Sequence, residues 1–596
     1  MFLNTENHDQ TTTFFNGILK SLPSYHGLWF PKEIPQMDPE FFNELPNLEF
    51  HELANQVLSK LLNKNDLKQV VKKAYNFPVV VKELSEELHV LETFHGPTLT
   101  FKDFGARFMA FYLESKLKRY NQNYHILVST SGDTGSAIAS AFYNKSNLRV
   151  TILYPENRIS SIQELQMTTF DNNITSYGLD TSFDKCQTLV KKSFADTQLN
   201  QFTNIMSANS INLARLLPQC LYYFYSYGQL VKKYGDKVKN KVVFTIPSGN
   251  CGNLVGGLIA KQMGLPIKRF IVGQNDNDTF VRFLNENEYL SKDTIKTISN
   301  AMDVGDPSNY KRVFHMYKDN LDKLKQDVKG LKISEEETLQ GIKEVYTKYN
   351  YVIDPHTSVG YQAYQKLKQE DEYNIIVSTA SPIKFYEIVE KELDIKLEKN
   401  KTLEDLRLKP KTKILIKPSY DFFKSNLVSR KQKRSFTFIG MPGSGKSTIS
   451  KLLSNKLNIK LLELDEHIES KHNMNLFQLI EKYGEEGFKL IEEQGMMSIN
   501  FLEPVIVSTG GSVIYSDIGM SSLQRNSEII YLNTDFNKIM KRTENLSNRG
   551  IVFNGKTPKE LYLERHQLYS KYCHYEIKTN NLSEEELIRI IKDNIF

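Results

Sequence analysis

The stretch TFHGPTLTFKDFGARF (93–108) places one lysine, Lys102, between Phe101 and Phe104 and directly before Asp103. A lysine so placed either lays its stem along a packed surface or is held in a pocket as a nucleophile and base, and the stretch alone leaves both open. An amine with the ordinary lysine pKa of about 10 is protonated at neutral pH, so chemistry there requires burial or neighbouring cations. Two distant loops supply the other half of a site. STSGDTGS (129–136) and IPSGNCGN (246–253) each follow a strand-like run. Successive small residues let backbone N–H groups converge, and a helix N-terminus behind them favours an anion. Either loop alone is commonly just a turn. Two of them with an isolated lysine describe an amine facing anion cradles.

A second constellation lies at 440–448, GMPGSGKST, after the strand-like FTFI and before the helical TISKLLSNKL. This is the GxxxxGK[ST] loop in its strand-to-helix setting. Gly440, Gly443, Ser444, Gly445 and Thr448 shape a backbone cradle for ATP phosphates. Lys446 neutralises the β and γ groups, and Ser447 offers its hydroxyl to Mg2+.

The elements that must position these residues read as α/β throughout. HILVSTSGDTG, VTILYP, KVVFTIPSGN and NIIVSTASP are strand-like runs, each leading into an amphipathic segment. Strand, Gly-rich turn, helix is the doubly wound pattern, whose ligand sites gather at strand ends. SNLVSRKQKRS (425–435) breaks the pattern with a polar, basic run, and a smaller α/β pattern follows with KLLELD, PVIVSTGG and EIIYLN. The expected division is an N-terminal lobe at 1–90, a catalytic region at 91–428, a linker at 429–434 and a second domain at 435–596. With 596 residues, 40% hydrophobic and 24% charged, the chain reads as a soluble multidomain protein. The 76 basic and 70 acidic residues are dispersed, which speaks against a nucleic-acid partner. Four cysteines without CxxC or His-paired spacing suggest neither disulfides nor zinc, and no signal peptide or membrane span is read, so the expected compartment is the cytoplasm. The partners expected are small molecules, with oligomeric state undetermined.

FHGPTLTFKDFGA, SGDTG, LYPENRISSIQELQM, ANSINLARLLPQ, PSGNCGN, NDNDT, SNAMDVGDPSN, DPHTSVGYQA and STASPIKF, in that order, resemble threonine synthase. That family consists of pyridoxal-phosphate enzymes of the tryptophan-synthase β type (fold type II), and the resemblance covers about 1–428. It implies that Lys102 forms the Schiff base with pyridoxal 5'-phosphate and then moves protons. Asp133 would lie near the phenolic oxygen, and Ser131, Gly132 and Thr134 would receive the substrate carboxylate. Gly249, Asn250, Cys251, Gly252 and Asn253 would cradle the cofactor phosphate, with Thr379 facing the pyridine nitrogen. Asn209, Ser210 and Arg215 would hold the substrate phosphate. The implied reaction turns O-phospho-L-homoserine and water into L-threonine and phosphate. Cys251 stands where a Phe or Ala is more usual. A serine or threonine dehydratase is the alternative for this region and would not need Arg215.

The second region resembles shikimate kinase through LLELDEHIE, GEEGFKLIEE, VSTGGSVI, NRGI and LYLERHQLYSKY. The implied roles are Asp465 as base, Glu463 with Ser447 at the metal, Arg549 as lid arginine on ATP, Arg565 on the substrate carboxylate, and Gly510 and Gly511 beneath the substrate. Lys489 stands at the position of a second carboxylate-binding arginine, Glu463 replaces the first acid of the DxD pair, and Ser512 follows two glycines where three are usual. All three departures touch the acceptor pocket, and arginine and lysine are not interchangeable there. Shikimate is the acceptor by resemblance. Homoserine, whose phosphate ester the first region would consume, is the alternative, as is a degenerate regulatory domain.

Overall fold

The computed structural model describes residues 1–595 except 24–25, 65–66, 118–123, 146, 157, 318–319, 399, 428–434, 502–503, 543–555 and 580–581. The expected linker and Arg549 therefore lie outside the described residues. The chain divides into two compact units, one of residues 1–194 with 204–413 and one of 195–203 with 414–596.

The larger unit holds two parallel sheets. One runs, in spatial order, Val328–Lys332, Ile267–Gln274, Val242–Pro247, Tyr373–Ser378, Leu88–Glu92 and Val80–Ser85, with only the last strand antiparallel. The other carries Ile174–Leu179, Leu148–Pro155, Tyr124–Ser129 and Asn204–Ser207, all parallel. All six residues of VVFTIP (242–247) are buried, as expected of a strand covered by helices on both faces. The N-terminal segment forms a small antiparallel sheet of Phe2–Asn4, Thr11–Thr12 and Trp29–Pro31. It sends Phe2, Phe14, Trp29 and Phe30 into the same core as Phe104 and Tyr222.

The smaller unit has five parallel strands in the order Lys460–Glu463, Val505–Ser508, Phe436–Ile439, Glu528–Asn533, Tyr575–Lys578. Its sequence alternation is directly visible in the packing. Ile529 and Tyr531 enter one core cluster and Ile530 and Leu532 the other, because successive side chains of a strand point to opposite faces. Cys186, Cys220 and Cys251 are buried and Cys573 is half-exposed, and none of the four forms a disulfide. Among the described residues no helix is long and apolar enough to cross a membrane.

Candidate active sites

In the larger unit Lys102, Ser131, Asn209, Gly249 and Thr379 all follow the carboxyl ends of parallel strands. Lys102 opens the helix Lys102–Leu117. The loop before it is pinned from both sides. Buried Asp103 accepts from the Thr98 N–H at 2.9 Å and the Thr98 hydroxyl at 2.7 Å. The carbonyl of Thr379 accepts from the Phe101 N–H at 2.9 Å and the Thr100 hydroxyl at 3.1 Å.

The Lys102 Nζ lies 3.9 Å from the Asp133 carboxylate and 5.6 Å from the centroid of the Phe101 ring. Phe104 faces the other way, into a cluster with Phe50, Tyr75, Phe77 and Tyr222, so only one of the two flanking aromatics touches the amine. Burial is the main cause that brings the Lys102 pKa down to about 8. Asp133 opposes it, and the Lys384 and Arg215 cations add to it. Burial disfavours ionised Asp133, yet Lys384, at 2.8 Å, and Lys102 together hold this carboxyl well below its usual range. Gln163 donates to the same carboxylate at 2.9 Å while its carbonyl oxygen closes the capping box of the helix Ser161–Thr168, so one side chain both caps a helix and holds the acid. Sequence position alone gives Gln163 and Lys384 no role, although both lie inside stretches that carry the resemblance.

Gly132 takes φ 134° ahead of the helix Asp133–Phe142, flanked by half-buried Ser131 and Thr134. Cys251, with φ 57°, precedes the helix Gly252–Gln262, and burial pushes its thiol up to about 12. The loop is locked from within: Ser248 donates to Asn253 at 2.6 Å, and Asn253 donates to the Pro247 carbonyl at 2.9 Å. A Cβ on Gly249 would lie 2.7 Å from the Met302 Cα, so a side chain there would force the loop apart. Asn250 donates to Ser210 at 2.7 Å, joining this loop to ANSINLAR. Asn309 bonds Ser210 at 3.2 Å and the Asn250 carbonyl at 2.9 Å. Fully buried Arg312 fastens the group through Asn309 and the carbonyls of Trp29, Ser210 and Ile211. Neither Asn309 nor Arg312 is legible as a site residue from linear order.

Asn209 donates to the Ser129 carbonyl at 3.1 Å, and its buried Oδ1 has no partner. Arg215 is buried, which brings its pKa down to about 10; it bonds the Ala208 carbonyl, and its Nε has no partner. Buried polar atoms without partners are rare; an anionic ligand would satisfy the Arg215 Nε, while the Asn209 Oδ1, an acceptor, calls for a donor. The residues present fit pyridoxal phosphate: a buried amine of lowered pKa, a tight loop with a helix N-terminus behind it, and the Thr379 hydroxyl on the neighbouring strand end.

In the smaller unit the loop 440–448 enters the helix Lys446–Leu457. Lys446 folds onto its own loop, donating to the Gly440 and Met441 carbonyls at 2.9 and 3.0 Å; burial brings its pKa down to about 8. Ser447 lies 3.2 Å from both Glu463 and Ser508, which gathers oxygen ligands of the kind magnesium takes. A cavity of about 640 Å³ runs from Gly443–Thr448 to Asp465, Glu492, Gly510, Gly511 and Arg565. Burial, reinforced by neighbouring acids, pushes Asp465 up to about 6 against the pull of Lys446. Arg565 is buried and bonds the Tyr515 hydroxyl at 3.3 Å. Lys489 pairs with Glu486 at 2.5 Å and lies 5.3 Å from the Tyr515 ring centroid, so it sits near Arg565 with its charge matched by an exposed acid. Glu492, three residues after Lys489, is a cavity residue that sequence reasoning misses.

A buried amine of lowered pKa and a tight glycine loop with a helix N-terminus behind it, both following the carboxyl ends of parallel strands, are the parts that a pyridoxal-phosphate-dependent enzyme requires. The family model described as pyridoxal-phosphate dependent enzyme matches residues 75–379, and that of the threonine synthase N terminus matches 1–75. Threonine synthase of Haemophilus influenzae is 41% identical over 405 residues, 67% of this chain and 93% of that protein. Threonine synthase of Escherichia coli is 39% identical over 391 residues, 65% of this chain and 90% of that protein. The crystal structure of the E. coli enzyme superposes with a TM-score of 0.67 at 36% identity, covering 71% of this chain and 98% of that one. The chain belongs to the threonine synthase family. The shikimate kinase family model matches residues 442–595, so a shikimate-kinase-like domain follows on the same chain.

Proposed function

We propose that the larger unit converts O-phospho-L-homoserine and water to L-threonine and phosphate, and that the smaller unit moves the γ-phosphoryl group of ATP to a hydroxyl of a small carboxylic acid with Mg2+ bound. The observation that carries the first reading is the Lys102 amine, 3.9 Å from Asp133, with its pKa lowered to about 8. At neutral pH an appreciable fraction of such an amine is unprotonated, so it can both attach a carbonyl and move protons. When bound, pyridoxal phosphate supplies the electron sink that acidifies the carbon-bound hydrogens of an amino acid. Lys102 then takes and returns those protons, Asp133 fixes the position of the amine, and the loop 249–253 with the helix behind it holds the cofactor phosphate. Arg215, Asn209 and Ser210 bind the second phosphate, the one that leaves.

In the smaller unit Lys446 and the loop amides would receive the nucleotide phosphates in place of its own carbonyls, Ser447 and Glu463 would hold magnesium, and Asp465 would accept the proton of the acceptor hydroxyl. The family resemblance supports shikimate as acceptor, while Lys489, Glu463 and Ser512 depart from that pattern.

The experiment for the first reading uses the full chain loaded with pyridoxal phosphate. L-Threonine and phosphate should appear from O-phospho-L-homoserine. Lys102→Ala should lose both turnover and the visible absorption band of the lysine-bound cofactor. Arg215→Leu should keep the band and lose turnover by about 100-fold or more. Undiminished turnover in Arg215→Leu would favour a dehydratase instead.

A further inference from the structure

Asp354 and His356 are both buried at the start of the helix Pro355–Leu367. The Asp354 carboxylate caps that helix, accepting from the backbone N–H of His356 at 3.0 Å and of Thr357 at 3.2 Å. One of its oxygens also lies 2.6 Å from the His356 Nδ1. The other ring nitrogen, Nε2, faces the backbone N–H of Ala301 at 3.1 Å. A backbone N–H can only donate, so Nε2 is the acceptor and the ring proton sits on Nδ1, toward the carboxylate. Packing alone does not call for this ring. Phe385 lies 4.8 Å from it between centroids, a contact that a phenyl group would make as well.

Ala301 is the middle residue of the short turn Asn300–Met302. Asn300 donates to the Gln163 side-chain oxygen at 3.1 Å, and Gln163 in turn donates to Asp133. On its other side the turn backs the glycine loop, where a Cβ on Gly249 would meet the Met302 Cα. Asp303 secures the end of the turn, accepting from the Thr297 N–H at 2.9 Å and the Thr297 hydroxyl at 2.7 Å. The middle is secured by the ring of His356, 55 positions away in the chain. One imidazole therefore braces a turn that touches both halves of the candidate site.

Resting on the reading of this unit as a pyridoxal-phosphate enzyme, we infer that His356 is a positioning residue for the cofactor site. Asp354 fixes its proton on Nδ1, the bare Nε2 pins the turn 300–302 through Ala301, and the turn keeps the loop 249–253 and the Gln163–Asp133 pair at their spacing. His356 acts through Ala301 and has no part in the bond changes. Residues that hold the contact groups in place decide whether a site is rigid enough to bind its ligand.

The test titrates the cofactor-free full chain with pyridoxal phosphate, followed by its visible band, in the parent and two variants. His356→Phe keeps a ring against Phe385 and offers no acceptor; His356→Gln offers an amide oxygen to the Ala301 N–H. The Phe variant should raise the Kd for pyridoxal phosphate about tenfold or more, and the Gln variant should stay within about threefold of the parent. Should the phenyl ring prevent folding, the smaller His356→Leu carries the same expectation. Nitrogen NMR of histidine-labelled parent, with the His356 signal identified by its loss in His356→Gln, should show the ring proton on Nδ1. Undiminished affinity without the acceptor, equal weakening in the apolar and Gln variants, or a proton on Nε2 would overturn the inference while leaving a cofactor-binding protein. If the parent takes up no pyridoxal phosphate, the cofactor reading itself fails, and hydrogen exchange of the same proteins decides the inference. Faster exchange at 249–253 and 300–302 in the apolar variant, slowed again in the Gln variant, upholds it; exchange that is unchanged, or equally fast in both, overturns it.

Discussion

Between Lys102 and Lys384 lies one buried carboxylate, Asp133, at 3.9 and 2.8 Å. The arrangement divides labour between two amines. Lys384 is fully buried, bonds the Thr98 carbonyl at 2.9 Å as well as Asp133, and holds the acid in place. Lys102 keeps the longer, looser contact and so remains available to a ligand. Lys384 lowers the pKa of Lys102 by repulsion, so Lys384→Met should raise the Lys102 pKa above about 8. The rate at which cofactor-free protein captures added pyridoxal phosphate, followed against pH, should shift its midpoint upward. An unchanged midpoint would show that Lys384 has no electrostatic hold on the amine. Lys102 was legible in the sequence because two glycine loops gave it something to face. Lys384 was not, since its meaning comes from a carboxylate 251 positions earlier in the chain, which only folding brings beside it.

The strands and glycine turns were readable at the level of elements, because buried parallel strands are β-branched runs that stop at the loops they feed. What linear order does not carry is closeness between helices. Gly105, in the first turns of the helix that Lys102 opens, meets the backbone of Arg215: a Cβ there would stand 2.4 Å from the Arg215 carbonyl oxygen. One glycine thereby sets the spacing between the helix of Lys102 and that of Arg215. Gly105→Ala should cost about 1–3 kcal/mol by overpacking. Affinity for pyridoxal phosphate should fall alongside. Chemical denaturation and cofactor titration check the two effects separately, and a variant as stable and as tightly loaded as the parent would show that the helices yield without consequence. The cap residue Gln163 teaches the same lesson. Its sequence signature, Ser160 followed three residues later by Gln, announces a helix start, and nothing in that signature foretells the bond to Asp133.

As a whole, the molecule carries two compact units on one chain, each with its own candidate site. A ligand that binds only the folded state stabilises it, by about 2.7 kcal/mol at 100 times its Kd. Pyridoxal phosphate should therefore raise the calorimetric transition of the larger unit, and a non-hydrolysable ATP analogue with Mg2+ that of the smaller one. A Lys446→Met chain should lose the second shift and keep the first. The two-region plan was plain in the sequence, since an α/β pattern broken by a basic run and restarted by a phosphate-loop motif has few other readings. The place of Glu492 in the cavity was not, because it comes from burial beside Asp465, which lies 27 positions earlier in the chain. The cysteines give the experimenter a handle on that cavity. Three thiols are packed away and Cys573, just past the helix that carries Arg565, is the half-exposed one. A thiol-directed fluorophore on native protein would settle at Cys573 alone, and so give an optical reporter eight residues from Arg565 without a single engineered change.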